Sequence, residues 1–248
     1  MTTLLPQAAI VYPSSDGEPL AETSVHVDAI IDAVVVLRQY LEQRSAIVLA
    51  DQFLYYAQGY PKLRVAPDIM VILDVTPGPR DNYKIWEEGQ VPVVVFEITS
   101  ESTKSHDEGY KRILYEQLEV QEYWQFDPKG EWLEEQLRGY RLRGERYEPI
   151  TDDRIAPLQL RLSVDGQRIA FFREDTGEKL MASGELAQAL REEVRSRQQA
   201  EERAEQERQR AEQERQRAEQ ERQRADQAEA QVAQLRERLR SLGIDPEL

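Results

Sequence analysis

A seven-residue unit, RAEQERQ, runs three times in succession, at Arg203–Gln209, Arg210–Gln216 and Arg217–Gln223, and a degenerate copy begins at Arg224. Between Gly184 and Gly243 there is no glycine, proline or aromatic residue. A strict period of seven in such a stretch commits it to helix, because a helix returns to one face every two turns. Placing Ala204, Ala211, Ala218, Ala225, Val232 and Leu239 at heptad position a puts Glu207, Glu214, Glu221, Ala228, Leu235 and Leu242 at d. The seam is therefore charged through three heptads and apolar only from about Ala225 onward. Pairs such as Arg203/Glu207 and Glu207/Arg210 support a solvated helix by roughly 0.2–0.5 kcal/mol each. The middle heptads read either as a spacer helix or as a coiled coil. Residues 225–242 read as a coiled coil that pairs with a second copy (a homo-oligomer) or with a partner helix. Gly243 and Pro246 are expected to stop the helix.

The tail leaves residues 1–184 as a separate domain, long enough to build a core, with 185–248 as the helical tail. The whole chain has a net charge of −15. The tail carries 13 Arg against 16 acidic residues, so most of the excess negative charge lies in the first domain. No run approaches the roughly 18 consecutive apolar residues of a membrane span, and the N-terminus lacks a signal-peptide layout. The expectation is a soluble, cytoplasmic protein with no membrane partner. There is no cysteine, which excludes disulfides, zinc–thiolate sites and thiol nucleophiles, and only His26 and His106 supply imidazole.

Within residues 1–184, Val25–Leu41 has apolar residues at helical spacing. Ser45–Ala57 and Pro67–Val75 read as strands, and Thr76–Pro79 as the turn that closes the second of them. Val91–Thr99 holds valines at 91, 93, 94 and 95 and reads as the central strand, buried on both faces. Pro92 must then sit at its start, since proline has no N–H for the ladder. His106–Leu118 reads as a helix, with Tyr110, Ile113, Leu114, Gln117 and Leu118 at helical spacing. Glu122–Phe126 reads as the next strand. Further short strands are expected around 133–137, 139–142, 147–150, 158–162 and 168–172. The order gives an α/β fold with a mixed sheet flanked by helices, a small β-rich extension and a long C-terminal charged helix.

Two acids stand out. Asp68 lies at the start of a β-run, and Glu97 near the end of the most buried one. Acids are depleted in such strands unless paired or bound to a cation. Asp68 alone also reads as a turn or cap residue, and Glu97 alone as a salt-bridged strand end. Together they form a pair whose repulsion a divalent metal would remove; oxygen ligands without cysteine or histidine point to Mg²⁺ or Mn²⁺. Lys111 shares a helix face with Asp107 and Tyr115 at four-residue steps and reads either as a third site residue or as half of a surface pair.

The series Pro67-Asp68, Phe96-Glu97-Ile98-Thr99-Ser100 with Ser102-Thr103, Asp107-x-x-x-Lys111-x-x-x-Tyr115 and Glu122-Tyr123-Trp124-x-x-Asp127-Pro128 resembles the Uma-two family of restriction endonucleases, in the PD-(D/E)XK nuclease superfamily. The resemblance spans about 25–180 and leaves the tail outside. It implies a restriction-endonuclease-like α/β core and Mg²⁺-dependent hydrolysis of DNA phosphodiester bonds. It further implies Asp68 and Glu97 as metal ligands and Asp68, Glu97 and Lys111 as the catalytic set. Thr99 stands where the (D/E)XK element has its lysine, and Lys111 takes that role from the helix. An acid on the first helix, Asp28 or Asp32, would complete the site; His26 resembles the first-helix histidine and reads equally as a structural residue.

The acidic balance of the first domain weighs against DNA binding, which needs a basic footprint. Lys104, Lys111 and Arg112, or Arg138, Arg141, Arg143 and Arg146, are the candidate patches. The alternative to the endonuclease is a catalytically silent nuclease-fold binding or assembly module whose coiled-coil tail mediates protein association.

Overall fold

The structure is a computed structural model that describes residues 10–17, 22–100 and 107–241, with the side chains of 107 and 108 left aside. The chain divides into two compact units, Met1–Leu186 and Ala187–Leu248.

In the first unit, helix α1 spans Ser24–Leu41 and is started by Thr23, whose hydroxyl accepts the His26 N–H. Its buried face runs through Ala29, Ile30, Ala33, Val34, Leu37 and Leu41. Val27 and Ile31 belong to the apolar pattern but are exposed, so the stripe that packs is narrower than the sequence implies.

Six strands build the main sheet: β1 (Ala46–Ala50), β4 (Ile69–Leu73), β6 (Val94–Ile98), β7 (Glu122–Phe126), β8 (Leu137–Arg143) and β9 (Arg146–Ile150). Their spatial order is β1-β4-β6-β7-β8-β9. All neighbours are antiparallel except β6 and β7, which are parallel. Every residue of β6 is buried, as its valine run predicts, and Pro92 falls before its first ladder residue. The period of two divides the sheet cleanly. Val71, Phe96 and Ile98 face α1, whereas Met70, Ile72 and Val95 face the other side with Leu114 and Tyr115. Gly139 pairs with Trp124 across β7 and β8, and a Cβ at 139 would come within 2.6 Å of the indole. Only glycine leaves room for that ring.

A three-stranded patch covers the second face: β2 (Leu54–Tyr55), β3 (Arg64–Val65) and β5 (Tyr83–Lys84), followed by the short α2 (Ile85–Glu88). The run read as one strand from Ser45 to Ala57 is thus two. It breaks at Asp51, whose φ of +50° takes the chain out of the extended region. The segment read as an α-helix from 106 to 118 also differs. Asp107–Lys111 is a π-helical turn that leads into α3 (Arg112–Gln117), and this widened turn leaves Tyr110 and Ile113 half exposed while Leu114 and Tyr115 are buried. The strand expected at 133–137 is a loop, and β8 starts at Leu137.

The β-rich extension is a four-stranded sheet, β10 (Arg154–Ile155), β11 (Leu160–Asp165), β12 (Arg168–Arg173) and β13 (Lys179–Leu180). Its Leu160, Leu162, Ile169 and Phe171 join the core cluster that contains α1.

Helix α4, Ser183–Ser241, is one uninterrupted helix of 59 residues with no buried residue. The expected stop at Gly243 and Pro246, and Leu242 of the seam, lie outside the described residues. No described helix is long and apolar enough to cross a membrane.

Candidate active site

Asp68 immediately precedes β4, and Glu97 is the fourth residue of β6. The two strands are antiparallel with Ile69 opposite Phe96, so one step outward Asp68 stands at the register position opposite Glu97. Asp68 Oδ2 accepts the Ile98 N–H at 2.6 Å, which ties the acid to the neighbouring strand. Glu97 alternates with Phe96 and Ile98 and so faces away from α1. There the Lys111 ammonium reaches Glu97 Oε2 at 2.6 Å, and the Tyr115 hydroxyl donates to Oε1 at 2.7 Å. Lys111 ends the π-helical turn and Tyr115 lies one turn later in α3, so a single helical segment supplies both partners. Glu97 and Tyr115 are fully buried, whereas the Lys111 side chain keeps 14 % exposure.

The electrostatics of the site are set by that burial. Desolvation pushes the Asp68 carboxyl well above the usual carboxylate range, and repulsion from Glu97 adds to it. Lys111 and the Ile98 N–H pull in the opposite direction without cancelling it. The Tyr115 phenol is held well above its ordinary value, first by burial and then by the Glu97 charge, so it stays a protonated donor.

Asp68 and Lys111 line a cleft of about 490 Å³ together with Glu22, His26, Asp51 and Phe53. Glu97 contributes no lining surface. His26 is buried; its Nε2 lies 3.9 Å from Asp68 Oδ2 and its Nδ1 lies 3.7 Å from Glu22, without a hydrogen bond. Asp51 is exposed as a residue, yet desolvation of its carboxyl raises its pKa; His26 opposes that rise and Glu22 adds to it.

Neither first-helix acid suggested by the sequence is at this cleft. Asp28 is exposed, and Asp32 forms an ion pair with Arg168 of β12 at 2.9 Å. Glu22 and Asp51 take the places beside His26. Spacing on the first helix does not find them, because one precedes that helix and the other sits at the β1 break. A lone acid after the apolar run of β1 is the one available signal for Asp51. The side chain of Asp107, and all of Ser102, Thr103, Lys104 and His106, lie outside the described residues.

The remaining acids of the sequence series are architectural. Asp127 is fully buried, and its carboxylate accepts the backbone N–H groups of Lys129, Gly130, Trp132 and Leu133. Glu122 is fully buried too and accepts from Arg141 at 2.7 Å, Trp124 at 3.1 Å and the Ala156 N–H at 3.1 Å. That removes Arg141 from the basic patch, and Arg138 donates to Gln125. Arg112, Arg143 and Arg146 remain exposed, with Arg112 stacked 5.2 Å over Tyr140.

Among the described residues no three His, Asp or Glu side chains are grouped to hold a metal by themselves. Two carboxylates, Asp68 on the cleft and Glu97 buried behind it, would still suit Mg²⁺. That ion dehydrates reluctantly, keeps several waters and is commonly held by one or two carboxylates plus substrate phosphates. A cation between Asp68 and Glu97 would also relieve the repulsion that raises the Asp68 carboxyl.

The family model for Uma2, described as "Putative restriction endonuclease", matches residues 5–171. A solved structure described as "a putative nuclease belonging to DUF820 from Anabaena variabilis ATCC 29413" is similar at 20 % identity and a TM-score of 0.39, covering 57 % of this chain and 77 % of that one. No curated protein matches. The family match agrees with the restriction-endonuclease-like α/β core that the sequence series implies, and leaves helix α4 beyond Ser183 outside it. With more than half of its length matched by the model, the chain belongs to the Uma2 family.

Proposed function

We propose that this protein is an Mg²⁺-dependent endonuclease that hydrolyses DNA phosphodiester bonds, with Mn²⁺ able to replace Mg²⁺. The observation that carries this reading is the meeting of Asp68, Glu97 and Lys111 at two adjacent strand ends beside an open cleft. Asp68 and Glu97 would hold the metal, which supplies Lewis-acid polarisation of the phosphate and acidification of a bound water. The protein's own groups do the positioning. The Ile98 N–H fixes Asp68 Oδ2, and the Tyr115 hydroxyl fixes Glu97 Oε1. The Lys111 ammonium supplies the counter-charge for Glu97 and, being partly exposed on the cleft, can swing to a phosphate oxygen where negative charge builds. Of the two candidate basic patches, Arg112, Arg143 and Arg146 are exposed and available to the DNA backbone.

One observation favours the silent-module reading instead: both Glu97 oxygens are engaged by Lys111 and Tyr115, in a domain that is acidic overall. The experiment that separates the two is cleavage of supercoiled plasmid by the purified chain in Mg²⁺, in Mn²⁺ and in EDTA. Nicking that depends on metal and is lost in Asp68→Ala, Glu97→Ala and Lys111→Ala supports the enzyme. Nicking that survives in Glu97→Ala refutes this site, and no nicking under any condition supports the silent module.

A further inference from the structure

Helix α4 exposes apolar side chains at both ends: Leu186, Leu190 and Val194 near its start, and Val232, Leu235 and Leu239 near its finish. Two of the first group continue the heptad frame, Leu186 at d and Leu190 at a, two heptads ahead of Ala204, with Val194 beside the seam at e. We infer that α4 pairs with α4 of a second copy of this chain as an antiparallel coiled coil over its full length.

The register decides the orientation. With Leu190 level with Leu235 of a second copy and the helices antiparallel, Leu186 falls level with Leu239, Ala200 with Ala225 and Arg197 with Ala228. Ser183 then falls level with the residue after Ser241, so the overlap uses the whole helix. The same register sets Ala204 opposite Glu221, Ala211 opposite Glu214 and Ala218 opposite Glu207. Each seam glutamate thus faces a methyl group, with an arginine such as Arg217 beside it on the opposite helix. Glu193 meets Val232 rather than another acid. A parallel in-register pair does the reverse. It sets Glu193, Glu207, Glu214 and Glu221 each against its own copy, where like charges repel across the seam. The antiparallel pair is therefore the orientation that closes both leucine ends without stacking acid on acid.

The chain has no cysteine, so single-cysteine variants of the full chain give an unambiguous test. In the antiparallel pair the two copies of residue 235 are about 68 Å apart along the axis, at 1.5 Å per residue. Leu190→Cys and Leu235→Cys, each expressed alone and oxidised in dilute solution, are expected to stay uncrosslinked. Co-expressed, they are expected to give a disulfide-linked dimer on a non-reducing gel. Light scattering of the unmodified chain is expected to give twice its 28.8 kDa mass. Crosslinking of either variant with itself overturns the antiparallel register in favour of a parallel one. A monomeric mass at every concentration overturns self-pairing altogether.

Discussion

The Tyr115 hydroxyl donates to Glu97 Oε1 at 2.7 Å, and both side chains are closed off from solvent. A buried carboxylate oxygen has no water to replace a lost donor. Tyr115→Phe removes that donor at nearly constant shape, so a loss of about 1–3 kcal/mol is expected. Urea denaturation of the two proteins measures it. Equal unfolding midpoints would show that the hydroxyl is dispensable.

Asp68 makes stability depend on pH. Its folded pKa lies above the unfolded value of 3.8 because burial, and then Glu97, disfavour the anion. The folded chain therefore takes up the proton first as pH falls. The stability linked to this group is fully present below the unfolded value and is lost as pH rises through the raised folded value. In EDTA, the melting temperature of the wild type relative to Asp68→Asn is expected to climb as pH is lowered from 8 toward 5. At pH 8, added Mg²⁺ is expected to stabilise the wild type, by about 2.7 kcal/mol at a hundred times Kd, and not Asp68→Asn. Parallel pH profiles for both proteins would contradict the shift.

The sequence marks the β6 strand and its neighbours because a run of valines has one stable destination, a strand covered on both faces. It also marks Asp68 and Glu97, since acids in such strands demand a partner. What it does not mark depends on contacts made far along the chain. Asp32 lies on a plausible helix face, yet it pairs with Arg168 from a strand that the first helix meets only in the folded domain. Asp51 is hidden inside an apolar run that looks like one strand, because a single left-handed residue leaves little trace in hydrophobic alternation. Tyr115 is placed on the Lys111 face by spacing alone, but spacing does not say that its hydroxyl ends on the same carboxylate.

Asp127 separates structural importance from chemistry. Its carboxylate accepts four N–H groups of the loop after β7, and Asp127 is not among the residues that line the cleft. Asp127→Ala orphans the buried Leu133 N–H and removes the carboxylate from three more donors at the loop's partly exposed rim, so destabilisation of about 1–3 kcal/mol is expected. Calorimetry or urea titration reads the loss directly. Any nicking activity that remains should track the folded fraction, and full activity loss in a stably folded Asp127→Ala would place this residue in the site instead.

Lys111 and Glu97 allow stability and chemistry to be pulled apart. Their ion pair joins a fully buried carboxylate to a side chain that is 14 % exposed. Lys111→Met takes the ammonium away from a fully buried carboxylate, and a loss of about 3–5 kcal/mol is expected. Glu97→Gln leaves the ammonium, which can turn toward the cleft and its water, so its cost is smaller. In the double variant both charges are gone, and the pair is replaced by neutral groups of similar size. Its stability is expected to recover toward wild type, with a coupling of about 1–3 kcal/mol in the double-mutant cycle. Nicking, in contrast, is expected to fall at least about a hundredfold in all three variants, since Lys111→Met removes the ammonium from the phosphate and Glu97→Gln removes a carboxylate that would hold the metal. A double variant that is both stable and active would assign this ion pair to the core alone. A double variant as unstable as Lys111→Met would instead show that the two side chains contribute through packing and not through their charges.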